Sequence, residues 1–150
     1  MLRDRRKYLK GAMLVFLASA ILSVAGCSAP PEELTAKQVA ALEQRARERW
    51  QALSARDYAR VWEFGTPNYR SVFPKELYVL QFSYAVDRRL TGVEVVDYDA
   101  AAAVASVTAR VMSKPLKQTS TASQALGALP VTVREKWMFI DGEWWFSADV

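Results

Sequence analysis

Residues 131–149 read VTVREKWMFIDGEWWFSAD. Two alternating runs, 131–140 and 143–149, flank Asp141-Gly142. A two-residue Asp-Gly loop is the signature of a type I′ hairpin, whose central residues both take positive φ. That loop fixes the register. It sets Trp137 opposite Phe146, Phe139 opposite Trp144, and Val133 opposite Val150. The other face sets Met138 opposite Trp145, Lys136 opposite Ser147 and Arg134 opposite Asp149. A slip of one residue would exchange the two faces, so the pairing is strongly specified. Glu135 shares the aromatic face with Trp137 and Phe139.

Upstream, residues 102–112 also alternate. Ala103, Ala105, Val107, Ala109 and Val111 lie on one face, with Ser106, Thr108 and Arg110 on the other. Residues 91–98, TGVEVVDY, read as a further strand. Further upstream the period changes to that of helices. Thr35-Ala36-Lys37-Gln38 fits a capping box. Val39, Leu42, Ala46, Trp50 and Leu53 then form one apolar stripe of a helix over 36–54. The RARER run of residues 45–49 reads as its solvated side. A second helix is expected over 56–64, ended by Gly65 and Pro67, then a loop over 66–73. A third is expected over 74–85, with Leu77, Leu80 and Tyr84 in register. Residues 114–129, KPLKQTSTASQALGAL, carry no pattern and read as a long loop. Helices followed by a meander of strands predict an α+β domain, with N-terminal helices packed on a curved four-stranded antiparallel sheet.

The chain has 150 residues, 51% hydrophobic, which is too apolar for a disordered chain. It has no histidine and one cysteine, which removes Ser-His and Cys-His nucleophiles, an internal disulfide and a cysteine-rich metal site. The net charge of +4 belongs to the first 26 residues, where Arg3, Arg5, Arg6, Lys7 and Lys10 face only Asp4. Subtracting these from 20 basic and 16 acidic residues leaves 15 of each in 27–150. The basic balance therefore gives no argument for a nucleic-acid partner.

Residues 1–26 have the form of a signal peptide, a basic start followed by an apolar stretch from Gly11 to Ala25. That stretch is shorter than the ~20 residues of a spanning helix. Val24-Ala25-Gly26-Cys27 resembles the lipobox of bacterial lipoproteins. The resemblance implies cleavage before Cys27 and its acylation with chains such as palmitate. Ser28, in place of the aspartate that marks inner-membrane retention in such proteins, implies the outer membrane facing the periplasm. Residues 27–35 would then be the lipidated cysteine and tether, and 36–150 the domain.

The order of elements resembles the nuclear transport factor 2-like superfamily, a SnoaL-like or cystatin-like cone of helices on a curved sheet. The residues that carry this are Trp50 and Leu53, Asp57-Tyr58, Pro67, Tyr69-Arg70 and the closing DGEWWF. The resemblance implies a pocket between helices and sheet, with Trp50, Tyr58, Trp62, Trp137, Phe139, Trp144 and Phe146 as candidate lining. It also implies an outer sheet face used for dimerisation, for which Met138 and Trp145 are candidates, and hence a candidate homodimer.

Glu135 is the one weak catalytic candidate, because burial among rings would raise its pKa toward that of a general acid or base. The bland alternative is an acid paired with an arginine. Asp97 and Asp99 read as a strand end and turn rather than a metal site, and no metal or cofactor is expected. With no catalytic motif, the preferred function is a lipid-anchored envelope domain without catalytic activity. It would meet the membrane through Cys27 and bind an envelope protein or a small apolar ligand. The alternatives are a small isomerase or dehydratase using Glu135 and a tyrosine, and a structural subunit of an envelope assembly.

Overall fold

A computed structural model of the chain describes residues 32–82, 86–117, 120–125 and 127–148. The signal segment, Cys27, Tyr84 and the pairings of Val133 with Val150 and Arg134 with Asp149 lie outside the described residues.

Helix α1 spans Ala36–Ala55 and starts at the expected capping box. The Thr35 hydroxyl accepts from the Gln38 backbone N–H, and the Gln38 side chain accepts from the Thr35 N–H. The helix ends at Arg56, which takes the left-handed conformation at φ 60° and returns its N–H to the last turn. Short helices follow: α2 at Tyr58–Glu63, α3 at Pro67–Val72 and α4 at Lys75–Leu80. The strands are β1, Val86–Asp99, β2, Val104–Pro115, β3, Leu129–Ile140, and β4, Glu143–Ser147. A one-turn helix α5, Thr121–Ala125, joins β2 to β3. The sheet is an open antiparallel meander in the order β1-β2-β3-β4. The α+β class with four antiparallel strands is therefore as read from the sequence.

The closing hairpin has the expected register, with Trp137 opposite Phe146, Phe139 opposite Trp144 and Met138 opposite Trp145. Its turn has Asp141 at φ 52° and Gly142 at φ 85°, both positive as type I′ requires. The register continues across β2, setting Val107 opposite Glu135 and Ala105 opposite Trp137. Two bulges in β1, at Thr91 and Val96, break its pairing with β2. Each adds a residue, which locally bends and twists the strand.

One face of the sheet is covered by α1. Leu42 and Ala46 join Phe64, Val93, Ala105, Val107, Trp137 and Trp144 in one buried cluster. Trp50, Ala52, Leu53, Val61, Ala109 and Val111 form a second. Small residues, Ala46 on the helix and Ala105 and Ala109 on the sheet, are fully buried and leave room for the Trp137 indole, itself 0% exposed.

Four expectations are corrected. The loop read over 66–73 holds α3, because Thr66-Pro67 begins a helix: Thr66 Oγ1 accepts from the Tyr69 N–H and Pro67 sits in the first turn, where its missing N–H costs nothing. The third helix stops at Leu80, since Phe82 turns aside to stack on Tyr58 with centroids 4.0 Å apart. The patternless stretch 114–129 is shorter as a loop, because β2 runs to Pro115, α5 interrupts it and β3 begins at Leu129. Strand β1 also begins earlier, at Val86, paired with Pro115.

Candidate functional site

The helix period returns to Leu42 seven residues later, at Arg49. Arg49 therefore points into the helix–sheet interface and not to solvent, which corrects the reading of RARER as a wholly solvated face. It is 7% exposed. The inward face of β3 brings Glu135, 4% exposed, to meet it. Arg49 Nη1 donates to Glu135 Oε1 at 2.5 Å. The other carboxylate oxygen accepts from the Trp137 indole N–H at 3.1 Å. The guanidinium also lies over the Phe146 ring, 3.6 Å from its centroid. Arg49 Nε is buried with no hydrogen-bond acceptor among the described residues.

Burial pushes the Glu135 carboxyl above its ordinary range, against the pull of the Arg49 charge and of the Trp137 and Trp50 indoles. Burial likewise lowers Arg49, opposed by Glu135 and by the Tyr78 hydroxyl beside it, and aided by Arg88. A guanidinium stays protonated at any physiological pH. The guanidinium therefore keeps its charge, and the desolvation cost of the pair is expressed on the carboxyl.

Tyr78 links this pair to the helices outside. Its ring meets Phe82 edge-on at 5.1 Å and Tyr69 edge-on at 6.4 Å. Burial raises the phenols of Tyr78 and Tyr69. Tyr69 in turn lines a groove of about 290 Å³ beside α3, with Thr66, Asn68, Val72, Phe73 and Ala148. Gly65 shapes this corner. A Cβ there would meet the Tyr69 ring at 3.1 Å and the Trp62 carbonyl at 3.2 Å. Without one, residues 64–65 lie along β4, and the Phe64 carbonyl accepts from the Phe146 N–H at 2.8 Å.

The expected pocket residues are taken up by packing, in the core or against it. Trp50, Trp137 and Trp144 are buried core. Phe139 and Phe146 pack on that core, and Tyr58 stacks on Phe82. Trp62 is half-buried and donates its indole N–H to the Phe73 carbonyl at 2.8 Å. None of the seven lines the α3 groove. The space between α1 and the sheet is filled by core rings and the Arg49–Glu135 pair, and the α3 groove lies outside it. Tyr69 and Phe73 were hidden from sequence reading by the loop assigned to them. Arg49 was signalled by its spacing from Leu42.

Met138 and Trp145 are half-buried. Trp145 donates to the Ile140 carbonyl at 3.3 Å and is flanked by Arg45 and Arg70 at 5.0 and 4.7 Å. Asp99 takes the turn role, accepting from the Ala102 N–H at 3.0 Å. Among the described residues no group of three acids, cysteines or histidines converges, and no helix is long and apolar enough to cross a membrane.

No family model matches the chain. No curated protein matches it either. Among solved structures it is similar to the solution structure of a SEC-C motif-containing protein from Rhodopseudomonas palustris, at 15% identity and a TM-score of 0.41, over 69% of this chain and 73% of that one. The expected identity, a bacterial lipoprotein bearing a nuclear transport factor 2-like domain, is corrected by this finding. The similarity found is to a protein described by a SEC-C motif, and no family model supports the expected assignment.

Proposed function

We propose that the chain is a binding domain without catalytic activity, held at a membrane through Cys27, that takes an apolar group in the α3 groove. The group is a small apolar ligand or an apolar side chain of a partner protein. One observation carries the reading. Glu135, the acid on which chemistry would depend, gives one oxygen to Arg49 and the other to Trp137 inside a filled core. The groove beside α3 is instead walled by Tyr69, Val72 and Phe73, with Thr66 and Asn68 adding polar groups, a composition typical of small-molecule sites. The tether rests on Val24-Ala25-Gly26-Cys27, and each buried methylene of an acyl chain would add ~0.8 kcal/mol of membrane affinity.

Native mass spectrometry of the chain released from detergent micelles tests both parts. An added acyl mass is expected, lost in Cys27→Ser. A retained apolar adduct is expected, lost in Val72→Asp, which places a charge in the groove without touching the core. Turnover of a metabolite that disappears in Glu135→Gln, with folding intact, would overturn the reading.

A further inference from the structure

The flank formed by α1, α2, α3, the start of α4 and β4 carries a row in which cations and aromatic rings alternate. Lys75 Nζ lies 5.1 Å and Arg70 Cζ 5.6 Å from the Trp62 ring centroid. Arg70 also lies 4.7 Å from the Trp145 ring, with Arg45 against the same ring at 5.0 Å. Arg45 then reaches Phe64 at 5.5 Å, and Arg60 meets Phe64 at 5.0 Å.

The charges along this row are unequally matched. Glu63 serves both ends, accepting from Arg60 at 2.6 Å and from Lys75 at 3.0 Å. Arg45 donates to the Trp144 carbonyl and faces Glu143 at 3.9 Å. Arg70, in the middle, has no acidic partner among the described residues, and its Nε is buried without a protein acceptor. Indoles flank its guanidinium on two sides, at 4.7 and 5.6 Å, which limits the conformational freedom left to lose when an anion binds. A planar fork of this kind matches a carboxylate bidentately.

We propose that Arg70, framed by Trp62 and Trp145, receives a carboxylate from an acidic segment of a partner protein. Tryptophan and arginine are the residues most enriched where protein interfaces concentrate their binding energy. A protein fits better than a nucleic acid. A phosphate backbone is held by several free cations in succession, whereas here one unmatched cation stands between Glu63 and Glu143, which repel a continuous polyanion. A segment with one carboxylate beside apolar side chains meets both the charge and the rings. None of these residues lines the α3 groove, so the inference is independent of what fills that groove.

The test titrates the full chain, in dodecyl maltoside micelles, with the synthetic peptide acetyl-EELEEL-amide while following tryptophan fluorescence. Saturable binding is expected, weakened at least ~10-fold by Arg70→Gln, in line with loss of a charge-assisted hydrogen bond. Arg70→Lys should recover only part of it, because an ammonium lacks the planar fork. Arg70→Glu should reverse the preference, binding acetyl-KKLKKL-amide over the acidic peptide. Thermal unfolding of each variant separates lost binding from lost folding, and the charge-reversed pair keeps the test decisive if Arg70→Gln is destabilised. Equal binding by wild type and Arg70→Gln overturns the proposal. So does a silent acidic peptide beside tight binding of an oligothymidylate.

Discussion

Arg49 of α1 and Glu135 of β3, 86 residues apart in sequence, meet at 2.5 Å where the helix crosses the sheet. Each is the other's charge partner in a space otherwise lined by rings. Removing one member of such a pair strands a buried charge and typically costs ~3–5 kcal/mol, whereas replacing both with apolar residues of similar volume is often neutral. Arg49→Met should therefore fall in that range, and Arg49→Met with Glu135→Leu should recover most of it. Urea unfolding of wild type, each single variant and the double variant checks the cycle. Simple additivity of the single changes would show that the two groups do not act as a unit.

The pH dependence has a definite sign. Burial holds the folded Glu135 carboxyl above its ordinary value of 4.5. Such a group favours the folded state fully below that ordinary value and ceases to as pH rises through the raised one. Glu135→Gln keeps the shape without the charge. It should share the wild-type slope in acid and lose less stability as pH rises past the ordinary carboxylate range. Urea midpoints across that range are the measurement. The opposite slope would mean that Arg49 outweighs burial. Glu63 contributes in the other direction: its hydrogen bonds to Arg60 and Lys75 depress it, and the support it gives is lost as pH falls through its lowered value.

The Asp141-Gly142 turn requires φ of 85° at its second residue. Gly142→Val forces a β-branched side chain into that region, with an expected loss of ~1–2 kcal/mol. The loss should appear as a lower urea midpoint.

Arg56 closes α1 at φ 60°, a conformation that glycine adopts without a Cβ clash. Its side chain is exposed, so nothing is lost from the core. Arg56→Gly should raise stability by ~0.5–1 kcal/mol, because relief of the clash exceeds the added freedom of the unfolded chain. Thermal melting of the two proteins decides it.

Ala105 is fully buried opposite Trp137. Ala105→Leu should overpack this layer and cost ~1–3 kcal/mol. Ala101→Leu, at an exposed position in the β1–β2 turn, is the control and should be close to neutral.

The strands were the legible part of the sequence, for a local reason. Asp141-Gly142 fixes one register, and alternation carries it across β3 into β2 without long-range information. The long helix was legible from its cap and stripe. The α3 turn was not, because Thr66-Pro67 fits both the end of one helix and the start of the next. Only the Thr66 cap on Tyr69 decides between them. Arg49 was hidden by its neighbours. Arg45 and Arg47 are partly exposed, and composition gave no reason to separate the third arginine from them. Its seven-residue spacing from Leu42 was the available signal. Glu135 was placed on the correct face, yet its partner lies in a different element. A pairing across 86 residues follows from packing, which periodicity does not encode.

The contact between residues 64–65 and β4 also decides how this sheet meets its surroundings. The Phe146 N–H, which an edge strand would offer to a neighbouring chain, is already taken by the Phe64 carbonyl. β1 remains as the other edge, and there the bulges at Thr91 and Val96 interrupt the straight ladder that a foreign strand needs. Asp87, Arg89 and Glu94 place exposed charges along the same strand. One border of the sheet is clasped and the other is kinked and charged, so the domain resists growing into a fibre by strand addition while its aromatic flank stays open to the surroundings.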